Sequence, residues 1–252
     1  MKKKSSRYNL MSRLAIAAIA IWCVATFAVI NLTFSKAAET KPTKRSSALA
    51  ASTFSNITPI VVADAAEDGT PGRGNPFPST ISVTGLSGTI TDVNVKINGL
   101  TQDFPEDFDI LIVSPSGKKL LIQSDAIGDA VDNLSYTLDQ QANEQLPFQG
   151  TVTGSYRPAN YDGSTEDNDV FPDGLSQPFL NPGPQTGGVN GNLDSFNGDS
   201  ANGVWNLYVV DDDKISNGQI SGGWSVEITT NVATTPTPTP VVTPTATPTA
   251  TP

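Results

Sequence analysis

Three groups of acidic side chains are where chemistry is most readily sought in this chain. Asp103, Glu106, Asp107 and Asp109 form the first. Asp162, Glu166, Asp167, Asp169 and Asp173 form the second, and Asp211, Asp212, Asp213 and Asn217 the third. Paired carboxylates can act as acid and base in glycoside hydrolysis. Asp107 and Asp109 flank Phe108 at the head of an apolar run, and residues two apart on a strand point the same way, about 7 Å apart. No cleft-forming context surrounds them, so a turn acid beside a solvent-facing acid is the plainer reading. Calcium suits these groups better. It takes about six to eight oxygen ligands, largely from carboxylates and carbonyls on loops. The residues expected to ligate Ca2+ are Asp107, Asp109, Asp167, Asp169, Asp211 and Asp213. None of the groups has EF-hand spacing, and a solvated acidic turn is the alternative for each.

The chain has no histidine. A Ser-His-Asp triad needs an imidazole to take the serine proton and return it, so this chain cannot build one. The single cysteine, Cys23, sits in an N-terminal apolar run. The rest has no thiol, no disulfide and no Cys- or His-based zinc site. No Gly-x-Ser-x-Gly elbow or phosphate loop is present. A Ser-Lys pair is compatible with composition, yet nothing marks a nucleophile beside the 6 Lys and Arg that follow position 45. The expectation is a protein that is not an enzyme.

The elements that must position these acids read as short strands. Expected strands are 81–83, 89–97, 109–114, 120–124, 134–138, 151–156, 204–210 and 219–229. Val93, Val95 and Ile97 alternate with Asp92, Asn94 and Lys96, the period-two pattern of a half-buried strand. Trp205, Leu207 and Val209 share one face, as do Trp224, Val226 and Ile228, so both tryptophans are expected in the core. No helical stripe is sustained; residues 140–146 could form one turn. Many short strands punctuated by Gly, Pro, Asn and Asp predict an all-β sandwich or jelly roll.

The ends differ from the middle. Residues 1–13 carry Lys2, Lys3, Lys4, Arg7 and Arg13, an apolar run covers 14–30, and Ser35, Lys36, Ala37 and Ala38 follow. This reads as a secretory signal cleaved after Ala37 or Ala38, or as an uncleaved membrane anchor. Either way the remainder is expected to be exported and secreted or cell-surface. Residues 38–55 read as a linker, 56–230 as the domain, and 231–252 as a disordered, polyproline-like Thr/Pro tail. Residues 1–45 hold 9 of the 15 Lys and Arg and one of the 25 acids, leaving 6 basic against 24 acidic residues, a net charge of −18. So acidic a surface repels nucleic acid.

The order of motifs resembles the P domain, or homo B domain, found beside the catalytic domain of subtilisin-like proprotein convertases. The segment 104–117, with Asp109, Ile110, Ile112, Ser114, Pro115 and Gly117, is similar to the family's Asp-Leu-x-Ile-x-Leu-x-Ser-Pro-x-Gly hairpin. Gly154, Tyr156 and Pro158 resemble its Gly-x-Tyr-x-Pro segment, and Phe196 and Gly198 its Phe-x-Gly segment. Gly203, Trp205, Leu207, Asp211, Gly218 and the strand 224–228 resemble its C-terminal half. The resemblance covers roughly residues 58–230 and departs in a longer acidic loop between Tyr161 and Leu193. It implies a galactose-binding-like jelly roll of about eight strands, calcium in acidic loops, and a domain that packs on a protease and tunes its calcium and pH response. Without a protease domain, such a chain would bind a separate subtilisin-like protease or another surface ligand. The alternative is an adhesion or carbohydrate-binding module using Tyr136, Tyr156, Tyr161 or Phe171.

Overall fold

The computed structural model describes residues 49–151, 153–161, 169–173, 175, 178–184 and 189–231. The N-terminal segment, the first part of the expected linker, Asp167 and the Thr/Pro tail lie outside the described residues. Among those described, no helix is long and apolar enough to cross a membrane. The strands in chain order are β1 (Leu49–Asn56), β2 (Ile60–Val62), β3 (Gly72–Asn75), β4 (Ser79–Val83), β5 (Thr89–Gln102), β6 (Phe108–Val113), β7 (Lys119–Ser124) and β8 (Val131–Asp139). They continue with β9 (Ser155–Tyr156), β10 (Ala159–Asn160), β11 (Leu180–Asn181), β12 (Val189–Asn190), β13 (Gly203–Asp211), β14 (Gly218–Ile220) and β15 (Trp224–Asn231). Single-turn 3-10 helices occupy Pro105–Asp107 and Leu193–Phe196.

Two layers face each other, as the all-β expectation requires. The first runs β1, β15, β5, β8 and β9, with β14 bridging β5 and β2. In the second, β13 pairs antiparallel with β6 on one side and with β4 and β3 on the other. β6 pairs with β7, and β10 and β11 add to β7 in parallel. β3 pairs with both β2 and β13, so the ladder is one open sheet folded over its own core.

Alternation along the strands builds that core. Val93, Val95 and Ile97 from the first layer meet Phe108, Ile110, Ile112, Trp205, Leu207 and Val209 from the second. Trp205 and Trp224 are fully buried. Their indole N–H groups donate to the Ala201 carbonyl and the Ser79 hydroxyl, each at 3.0 Å, the partners a buried indole requires. The second layer is buried on its other face too. Leu111, Leu121 and Val210 point outward and are covered by Phe171 and Phe179 of the 161–193 segment. Covering both faces explains the unbroken apolar run Ile110, Leu111, Ile112 and Val113, which a half-solvated strand would not carry.

Several expectations are corrected. Residues 49–55, read as linker, form β1 together with Asn56, and this strand pairs with all of β15. The expected strand 219–229 is two strands. It breaks at Gly222 and Gly223, where Gly223 has φ +64° and a Cβ would lie 2.0 Å from the Asn56 carbonyl oxygen. The expected strand 151–156 shortens to β9. Residues 140–146 form turns and an isolated bridge, not a helical turn. Among the described residues fifteen strands replace about eight: β2, β3, β10, β11, β12 and β14 have only two to four residues, too short for periodicity to show, and β1 adds the segment read as linker.

Candidate metal centre

A β-bulge builds the site. Between the pairs Leu111 with Leu121 and Ile110 with Gln123, β7 has one residue more than β6. The extra residue is Ile122. Side chains alternate across a strand, and an extra residue flips that alternation. Leu120 and Ile122 face the main core and Leu121 faces outward. After the bulge Gln123 also turns inward, where it accepts the Tyr136 hydroxyl. Ser124 is thereby returned to the outer face, across from Asp109. In β6, Phe108 and Ile110 point to the core, so Asp109 points outward, toward Asp169.

There Asp109, Asp125 and Asp169 bring one carboxylate oxygen each to within 4.8 Å of one another. Asp125 follows β7 with φ +50°, a left-handed conformation that Asp tolerates better than most residues. Asp169 arrives from the segment that covers the outer face. The Ser124 hydroxyl lies 2.9 Å from Asp125 Oδ2 and 2.7 Å from Asp169 Oδ1, and it also reaches Asp109. A hydroxyl carries one proton, so it can donate to only one of the three at a time. The Asn160 amide donates to Asp169 Oδ2 at 3.4 Å.

Asp109 has 2% of its surface exposed, and its Oδ2 is buried without a hydrogen-bond partner. Burial holds its carboxyl well above the usual carboxylate range. The charges of Asp169, Asp212 and Asp125 push the same way, and the Ser124 hydrogen bond opposes them. A buried carboxylate oxygen with no donor either takes a proton or coordinates a cation.

The expected ligands divide. Asp109 and Asp169 meet in this group. Asp107 does not share a strand face with Asp109, because the strand begins at Phe108 and Asp107 closes a 3-10 turn. Partial burial, then the charges of Glu106 and Asp213, push its carboxyl up to about 6. Asp211 ends β13 fully buried. Burial, then the charges of Asp107 and Asp64, push it up to about 8. Asp213 is exposed on the following turn, capping the Lys214 amide. Asp167 lies outside the described residues. Asp125 belonged to none of the expected acidic groups.

No family model matches this chain, and no curated protein does. Among solved structures, the crystal structure of a serine protease of Aeromonas sobria is similar at 15% identity with a TM-score of 0.35, over 73% of this chain and 27% of that one. The crystal structure of that protease (ASP) in complex with the chaperone ORF2 gives 16% identity and a TM-score of 0.33, over 74% and 28%. The chain thus spans about a quarter of the length of those neighbours.

Chemically, the three-carboxylate group suits a hard cation. It supplies oxygen ligands only, at a spacing that one Ca2+ can bridge at its usual 2.3–2.6 Å or so.

Proposed function

We propose that this chain is a non-catalytic, exported β-sandwich module that holds Ca2+ at Asp109, Asp125 and Asp169 and binds or stabilises a subtilisin-like serine protease. The observation that carries the cation is the donor-less, buried Oδ2 of Asp109 inside a three-carboxylate group. The ion supplies positive charge there; the chain's own side chains orient it and tie the covering segment to β7. The absence of histidine supports a role in binding rather than hydrolysis.

The protease partner rests on the sequence resemblance to P domains, and the motif residues fit one packing unit. Ser114, Pro115, Ser116 and Gly117 form the turn between β6 and β7, closed by hydrogen bonds from Ser114 N to Lys118 O and from Gly117 N to Ser114 O. Gly203, with φ +133°, starts β13 directly on Pro115, where a Cβ would lie 2.7 Å from the proline Cβ. The sugar-binding alternative loses its aromatic platform: Tyr136, Tyr156 and Phe171 are buried, and Tyr161 packs against the core.

The test is capture of a subtilisin-like protease lacking its own P domain on the immobilised protein. Retention in millimolar CaCl2 and release in EDTA are expected, together with loss of retention by Asp109→Asn. No capture in either buffer, or equal capture by the variant, contradicts the reading. Peptide turnover that survives repurification contradicts its non-catalytic part.

A further inference from the structure

The outer faces of the two layers differ. That of the second layer is covered by Phe171 and Phe179. In the first layer Val93, Val95, Leu138, Val226 and Ile228 point into the core, and the residues that alternate with them form a groove of about 320 Å3. Ligand sites usually measure roughly 300–1,000 Å3. Among the described residues, none that lines this groove is apolar or aromatic.

Strand register arranges the lining in two rows. Thr53, Glu227, Asn94 and Asp139 pair in succession across β1, β15, β5 and β8. Ser225, Lys96, Thr137 and Ser155 do the same across β15, β5, β8 and β9. Neighbouring strands lie about 4.8 Å apart and same-face residues about 7 Å apart along a strand, so two rows of about 14 Å run side by side. Every one of these side chains is half-buried or exposed.

The rows differ in charge. In the first, Glu227 and Asp139 flank Asn94. The Thr53 hydroxyl donates to Glu227 Oε2 at 3.3 Å. The Asn94 amide donates to Glu227 Oε1 at 3.5 Å and to Asp92 Oδ2 at 3.3 Å, so Asp92 adds a third acid beside the row. Asn94 Oδ1 is buried without a donor. Acceptors are in excess here, and the charge suits a cationic donor. The second row offers three hydroxyls and one ammonium. Among the described residues Lys96 is in no ion pair, so neither Glu227 nor Asp139 neutralises it directly.

A peptide would bring apolar side chains to a groove without an apolar wall. A saccharide brings hydroxyls, which both donate and accept. The two carboxylates outweigh the one ammonium, which favours saccharides that carry amines. We infer that the groove binds an oligosaccharide of amino sugars, its ammonium groups on the row of Glu227 and Asp139 and its hydroxyls on the row of Lys96. With no ring to stack on, recognition rests on hydrogen bonds and charge. The groove and the Asp109 group lie on opposite outer faces of the sandwich, so the inference is independent of the calcium site and of the protease partner.

Calorimetric titration of the purified protein with a glucosamine tetramer, its N-acetylated counterpart, cellotetraose and tetralysine tests it. The glucosamine tetramer should bind saturably and both neutral sugars about 10-fold more weakly, the worth of one charge-assisted hydrogen bond. Glu227→Gln or Asp139→Asn should erase that preference, and Lys96→Ala should weaken every sugar. Asp109→Asn should leave all the affinities unchanged. No saturable sugar binding, equal affinity for charged and neutral sugars, or a preference unmoved by both Glu227→Gln and Asp139→Asn overturns the site. Tetralysine binding more tightly than the glucosamine tetramer overturns the saccharide and makes the occupant a cationic peptide.

Discussion

Ser124 faces Asp109 across the β6–β7 ladder because Ile122 is one residue too many for regular pairing. The bulge turns what would be a core-facing serine into a neighbour of three carboxylates, and it sends Gln123 inward to Tyr136. A local irregularity in pairing thus brings Ser124 into the carboxylate group. It follows that the charge at Asp109 is a burden on the fold until something neutralises it.

Neutralising that charge by substitution should separate stability from binding. Asp109→Asn removes a buried carboxylate that lacks a donor, so the calcium-free variant should melt at or above the parent temperature. Its melting temperature should no longer respond to the low calcium concentrations that stabilise the parent. Differential scanning calorimetry in EDTA and in titrated CaCl2 measures both. A large destabilisation in EDTA would mean that the Asp109 carboxylate is structurally satisfied.

Calcium should stabilise the parent by mass action, since the group is assembled only in the folded chain. At 100 times the dissociation constant the gain is about 2.7 kcal/mol, equivalent to roughly 5–11 °C for a domain of this size. The melt is compared in EDTA and in CaCl2 at fixed ionic strength. An unchanged melt contradicts cation binding.

Acidity should act in the opposite sense to the usual carboxylate case. The folded values of Asp107, Asp109 and Asp211 lie above the ordinary value, at about 6 for Asp107 and about 8 for Asp211. Between the unfolded value near 3.9 and these, the folded state binds more protons, so stability falls as pH rises. Calcium-free protein should therefore lose melting temperature from about pH 5 to pH 8. Saturating calcium should flatten or reverse that slope, because the ion replaces the protons. A calcium-free melt that rises over this range contradicts the assignment.

Trp205 tests the core independently of any ion. It is fully buried, edge-to-face with Phe196 at 5.2 Å between centroids. Trp205→Ala should cost roughly 3–5 kcal/mol, a large part of a typical domain's stability of about 5–15 kcal/mol. Equilibrium urea unfolding measures it. A variant that unfolds like the parent would place Trp205 outside the core.

Long alternating segments made the fold legible. β5, β13 and β15 alternate over eight or more residues, and both tryptophans sit where period two puts them. β1 and β3 were missed because they are edge or corner strands made largely of small residues, and β2 because Ile60–Val62 is only three residues long; the pairing of all three depends on partners far along the chain. The site was half legible. Asp109 and Asp169 stood out as acids in clusters; Asp125 stood alone. Hairpin arithmetic across the Pro115–Gly117 turn was the available signal, since it sets the end of β7 against the start of β6. The bulge that completes the match leaves no mark in composition. Asp107 was misplaced because its sequence neighbours look like strand, while Pro105 starts a 3-10 turn instead.

The most direct measurement is a crystal structure of the protein grown with millimolar CaCl2, with anomalous difference maps. A peak is expected bridging Asp109, Asp125 and Asp169, with Asp109 Oδ2 among its ligands. Well-ordered density for these three side chains with no peak between them, and Asp109 bonded to a proton or water, would contradict the calcium site on which the proposed function rests.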